Sequence, residues 1–209
     1  MKTIVCFGDS NTWGHDPETG QRLPGDKRWP GVLRASLGLG YEVIEEGLGG
    51  RTTVFNDPLE PYKSGKDYLP PCLLSHSPLD LVILLLGTND VQTRYNVSAL
   101  EISLGMGVLI EQIQASAAGP GNTAPEVLLI SPPPIGAVPE EWVESYIGAE
   151  TKSRQLARYY QRIADEYQCE FYDAAQSVVS SESDGVHWDV DQHEKLGKAL
   201  APLVRLLSR

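Results

Sequence analysis

Hydrophobic positions along the chain fall into short continuous runs, separated by longer stretches in which apolar residues return every three or four positions. The runs are Thr3 to Phe7, Tyr41 to Ile44, Leu79 to Leu86, Val127 to Ile130 and Cys169 to Tyr172. Each has strand length. The third, LDLVILLLG, is unbroken rather than alternating, as expected of a central strand covered on both faces by helices, and a parallel sheet follows. Helical spacing marks Trp29 to Leu37, Ser98 to Ala117, Glu140 to Gln168 and Asp191 to Leu207. Within the third of these, Leu156, Tyr159, Tyr160, Ile163 and Tyr167 recur at roughly helical spacing. Ser98 with Glu101 has the capping-box form, and Pro125 closes the loop leading to the fourth strand.

The order reads β-α-β-α-β-α-β-α-β-α, which predicts an α/β fold: a doubly wound α/β/α sandwich on a five-stranded parallel sheet of flavodoxin-like order. No repeat, low-complexity tract or linker interrupts it, so residues 1–209 read as one domain. Phe55 to Pro71 reads as one long proline-rich loop, of the kind that carries function or an interaction surface, with a plain surface loop as the equal alternative. Residues 131–142, SPPPIGAVPEEW, form a second such stretch.

Composition narrows the classes. A chain of 209 residues, 41% hydrophobic, buries roughly 70% of its unfolded surface and so has a real core. Its 28 acidic and 17 basic residues give a formal charge of -11, which argues against nucleic acid and anionic membranes as partners. Cys6, Cys72 and Cys169 are widely spaced with no CxxC pair, so neither a disulfide framework nor a structural zinc site is expected. The apolar stretch after Lys2 is too short for a signal peptide, and no segment approaches the ~18 apolar residues of a membrane span. A cytoplasmic protein is expected. Asn96-Val97-Ser98 matches a glycosylation sequon, but nothing else points to secretion.

In open α/β sheets ligands bind outside the carboxyl ends of the strands, where the strand order reverses. With flavodoxin-like order that point lies between the first and third strands. It brings Gly8-Asp9-Ser10 and Gly87-Thr88-Asn89-Asp90 to one crevice. Ser10 in FGDSNTWG suits a helix cap and a nucleophile equally well. Near the carboxyl end, DGVHWD separates Asp184 and His187 by three residues, and one helical turn would set the carboxylate against the imidazole Nδ1. Carboxylate, imidazole and hydroxyl together make the set required for covalent acyl transfer. The candidate oxyanion donors are the Ser10 amide, the Asn89 side chain and an amide of the Gly47 to Gly50 turn, with Gly50 preferred because glycine exposes its N–H. Asn89 as a turn residue, and the glycine cluster as a mere flexible turn, are the plainer readings. Neither GxxxxGK[ST] nor GxGxxG spacing is present, so nucleotide binding gains no support.

The ordered blocks GDSNTWG, GLGGRTT, LLLGTND and DGVHWD resemble the SGNH, or GDSL, hydrolases over nearly the whole chain. The resemblance implies Ser10 as nucleophile, Gly50 and Asn89 as oxyanion donors, His187 as base and Asp184 as its partner. YLPPCLLSHSPLDLVILLLGTND is most similar to the subgroup of arylesterases and acyltransferases acting on short-chain esters. That similarity implies a small-molecule ester substrate, homo-oligomers, and a long loop that narrows a hydrophobic channel, with 55–71 as its counterpart. His15 and Gln92 depart from the subgroup's usual residues, which leaves the substrate and the balance of hydrolysis and transfer open. No cofactor and no metal are expected. A carbohydrate acetylesterase is the nearest alternative. A two-metal phosphoesterase built on Asp9, Asn89, Asp90, Asp184, His187, Asp189, Asp191 and His193 is weaker, because no histidine adjoins Asn89 and no DxH follows the first strand. A silent binding domain on the same fold is the third class. Because a protonated imidazole cannot take the serine proton, the rate should fall towards acid pH.

Overall fold

A computed structural model of the protein describes residues 1–208. Five strands form one parallel sheet in the order β2-β1-β3-β4-β5, with β1 at Lys2–Gly8, β2 at Tyr41–Gly47, β3 at Leu81–Leu85, β4 at Glu126–Ser131 and β5 at Glu170–Asp173. This is the flavodoxin-like order, with its reversal between β1 and β3. The unbroken apolar run of β3 now has its cause. All five residues are buried, and they alternate between two cores: Val82 and Leu84 face one, and Leu81, Ile83 and Leu85 face the other. A polar residue at any of these positions would lie in one core or the other. Each such apolar side chain contributes about 1.5–3 kcal/mol on burial.

Six α-helices accompany the sheet among the described residues, five of them covering its faces. Helices α2 (Trp29–Leu37) and α6 (Val190–Leu207) pack on one face, while α3 (Gly65–His76), α4 (Ala99–Gln114) and α5 (Ala149–Tyr167) pack on the other. The short α1 (Ser10–Trp13) sits at the crevice. No helix among the described residues is long and apolar enough to cross a membrane.

Three sequence expectations need correction. The expected loop 55–71 ends at Ser64, where α3 begins and supplies the helix of the second strand–helix unit. The prolines concealed it. Pro70 has no N–H for the Lys66 carbonyl, and that carbonyl instead accepts from Gln112 Nε2 of α4 at 3.2 Å. The expected helix 140–168 is two elements, a 3₁₀ segment at Glu140–Tyr146 and then α5. Between them Gly148 takes a φ of +75°, which a right-handed helix cannot continue through. The helix expected from Ser98 to Ala117 stops at Gln114, beyond which Ser116 Oγ donates to the Ile113 carbonyl at 2.7 Å. Its start is as expected, with Ser98 and Glu101 forming a capping box.

Candidate active site

Strand β1 ends at Gly8, and the next residue caps α1. Asp9 Oδ1 accepts the Asn11 amide at 2.9 Å, so capping falls to Asp9 and leaves the Ser10 hydroxyl free. Ser10 Oγ lies 2.9 Å from His187 Nε2, and His187 Nδ1 lies 2.6 Å from Asp184 Oδ2. Residues separated by more than 170 positions in sequence thus form one hydrogen-bonded chain at the crevice between β1 and β3.

Asp184 and His187 do not lie on a helical turn, contrary to the sequence expectation. They belong to a tight non-helical turn in which Gly185 has a φ of +71°. A side chain at 185 would also collide with the Ala137 carbonyl at 2.2 Å, so glycine is required there twice over. Within the turn, Asp184 Oδ1 accepts the amides of Val186 and His187, each at 2.8 Å. Burial alone would raise the Asp184 pKa, but the bonds from His187 and the Val186 amide outweigh it and hold the carboxyl below its ordinary range. The carboxylate is therefore ionised and fixed on both oxygens. Asn11 Nδ2 donates to the Val186 carbonyl at 3.4 Å and ties α1 to this turn.

The other expected donors lie in the turns that follow β2 and β3, at the carboxyl edge of the sheet. Asn89, which follows β3, donates one amide hydrogen to the Arg51 carbonyl at 2.9 Å and keeps the other for a ligand. Gly50 lies in the turn after β2 with a φ of +75°. Arg51 holds that turn against the sheet: Nη1 donates to the carbonyls of Gly8, at 2.8 Å, and Glu46, and the guanidinium stacks 4.2 Å from the Phe7 ring centroid. Sequence reading missed Arg51, although it stands inside the GLGGRTT block. It also missed Trp142 beside the imidazole, and it left the role of His15 open. The His15 ring centroid lies 3.9 Å from that of His187, and Trp142 approaches edge-on at 6.5 Å. Burial and the adjacent His187 hold His15 below the ordinary histidine range.

The remaining metal-type residues disperse. Asp189 accepts from Ser181 Oγ, Asp191 pairs with Lys195, and His193 Nδ1 accepts the Trp29 amide in the opposite core. Ligand-type atoms of His15, Asp184 and His187 lie within 4.8 Å of one another, but those of Asp184 and His187 are already engaged in the chain to Ser10. A second trio, Glu46, Cys72 and His76, is held by a 2.7 Å bond between Glu46 Oε1 and His76 Nε2. Burial, together with Glu46, pushes its Cys72 thiol up to about 12.

Two carboxyls behind the site are fully buried. Asp90 Oδ1 accepts from the Thr53 amide at 2.9 Å and the Thr53 hydroxyl at 2.6 Å, while its Oδ2, like that of Asp9, has no hydrogen-bond partner among the described residues. Burial raises both from 3.8 to about 6. Between about pH 4 and about pH 6 the folded chain therefore keeps protons that the unfolded chain releases, and these groups make stability fall as pH rises through that window. Asp90→Asn, which preserves an oxygen for Thr53, should flatten this fall in thermal midpoints measured across the window. An unchanged slope would refute the shift.

The profile of the GDSL-like lipase/acylhydrolase family matches residues 6–195. Among solved structures, the native aryl esterase of M. smegmatis is 45% identical, with 99% of this chain and 100% of that chain covered and a TM-score of 0.95. A carbohydrate acetylesterase from Sinorhizobium meliloti is 40% identical at the same coverage, with a TM-score of 0.96. A comparison with curated proteins found no match.

Proposed function

Because the chain belongs to the GDSL-like lipase/acylhydrolase family, we propose that it is a serine esterase cleaving short-chain aryl or acetyl esters through an acyl-enzyme. The observation that carries this is the unbroken chain from Ser10 Oγ through His187 to Asp184, at 2.9 and 2.6 Å. Ser10 Oγ attacks the ester carbonyl as His187 Nε2 takes its proton, and the Asp184 carboxylate stabilises the imidazolium. The oxyanion receives the Ser10 and Gly50 amides and the free Asn89 hydrogen. His187 then protonates the departing alcohol. Water attacks the acyl group with His187 again as base, releasing the acid; a second alcohol in place of water gives acyl transfer.

No step draws on a metal or cofactor, so exhaustive chelation should leave the rate intact, and its collapse would contradict the proposal. A panel of p-nitrophenyl esters should show rates highest for acetyl and falling with chain length; a long-chain optimum would overturn the short-chain assignment. The 40% identity to a carbohydrate acetylesterase favours acetylated sugars as a second substrate class on the same residues. Residues 1–209 form one catalytic domain in this proposal, cytoplasmic and without a nucleic-acid partner. Exposed Leu59, Tyr62, Val143 and Ile147 offer apolar surface to a second copy in a homo-oligomer.

A further inference from the structure

The turn bearing Gly50 is built from two glycines. The Arg51 amide donates to the Leu48 carbonyl at 3.1 Å, and with Gly50 at +75° this is the form of a type II turn. In such a turn the central peptide, here joining Gly49 to Gly50, stands across the turn with its C=O and N–H on opposite sides. Glycine at both central positions lets this peptide rotate towards the type I form at little steric cost. The rotation would exchange the two groups, replacing a donor with a carbonyl oxygen on the crevice side.

Lys63 opposes that exchange. Its Nζ donates to the Gly49 carbonyl at 2.7 Å, and its stem passes 3.3–3.4 Å from the point where a Gly50 Cβ would stand. A 3.0 Å ion pair with Glu60 steadies the ammonium, whose side chain is 17% exposed, and the Lys63 carbonyl accepts the Thr52 amide at 2.9 Å. No protein group among the described residues accepts from the Gly50 N–H. Its carbonyl side is thus clamped and its amide side left free. A charged donor on the carbonyl also polarises the peptide and strengthens the N–H at its other end.

We propose that Lys63 is a positioning residue for the oxyanion hole, locking and polarising the Gly49–Gly50 peptide so that its N–H points at the developing oxyanion. This rests on the assignment of Gly50 and Asn89 as oxyanion donors. Lys63→Met keeps the stem over Gly50 and removes the charge and the hydrogen bond. It should lower kcat about tenfold with KM changed less than about twofold, because the lost interaction forms in the transition state. Lys63→Arg, which can still reach the carbonyl, should recover most of the rate. Glu60→Gln, which keeps the Lys63 bond to Gly49, should stay within about twofold of the parent.

Asn89→Ala separates the two levels, with an expected fall of about 100-fold or more. If Asn89→Ala falls while Lys63→Met keeps its kcat, or changes only KM, the role of Lys63 is overturned and the oxyanion assignment stands. If Asn89→Ala keeps its rate, the oxyanion assignment fails and the Lys63 proposal fails with it.

Discussion

Ser10→Ala is expected to lower kcat/KM for p-nitrophenyl acetate by about 10⁴-fold or more, leaving only the residual catalysis that binding and oxyanion donors give without a nucleophile. The fold should survive, because helix α1 is capped by Asp9 and not by Ser10, and the substitution removes one hydroxyl from a crevice rather than from a core. Circular dichroism and a thermal midpoint near the parent value would establish that. A folded Ser10→Ala variant with more than about a tenth of the parent rate would refute the nucleophile assignment.

Asp184→Asn should cost nearly as much, about 10³- to 10⁴-fold in kcat. An asparagine oxygen can still accept the Val186 and His187 amides, which now donate to Asp184 Oδ1 at 2.8 Å, so the turn should persist. Its amide nitrogen would replace Oδ2, 2.6 Å from His187 Nδ1. An N–H there makes Nδ1 the acceptor and places the imidazole proton on Nε2, facing Ser10, so the base cannot take the serine proton. In the parent, Asp184 is held below its ordinary range, so its carboxylate keeps the charge that orients the imidazole. A pH–rate profile for Asp184→Asn that matches the parent in height would contradict this role.

The fold was largely legible because the chain announces its sheet plainly. A run such as Leu81–Leu85, apolar at every position, has one natural home, a central strand between two helical layers. The topological switch point puts the turns bearing Ser10 and Asn89 at the ends of two neighbouring strands, β1 and β3. Helix α3 was not legible, since Pro70 and Pro71 are ordinarily breakers and the compensating bond from Gln112 comes from a residue more than 40 positions away. The turn at Asp184 was misread for a related reason. Spacing of three suits a helix, but Gly185 packs against the Ala137 backbone, and only the tertiary structure discloses that contact. Sequence neighbours do not disclose what Arg51, His15 and Lys63 do, even though Arg51 stands inside the GLGGRTT block. Their parts follow from what stands across from them: the carbonyls of Gly8 and Glu46, the imidazole of His187 and the carbonyl of Gly49.

The most direct test of a covalent serine mechanism is to find the atom that is acylated. Treating the protein with a small alkylphosphonate p-nitrophenyl ester and mapping the product by peptide mass spectrometry should find one phosphonyl group, on Ser10, appearing in step with loss of esterase activity. A label on another residue accompanying the loss, or full activity retained with Ser10 modified, would contradict the mechanism.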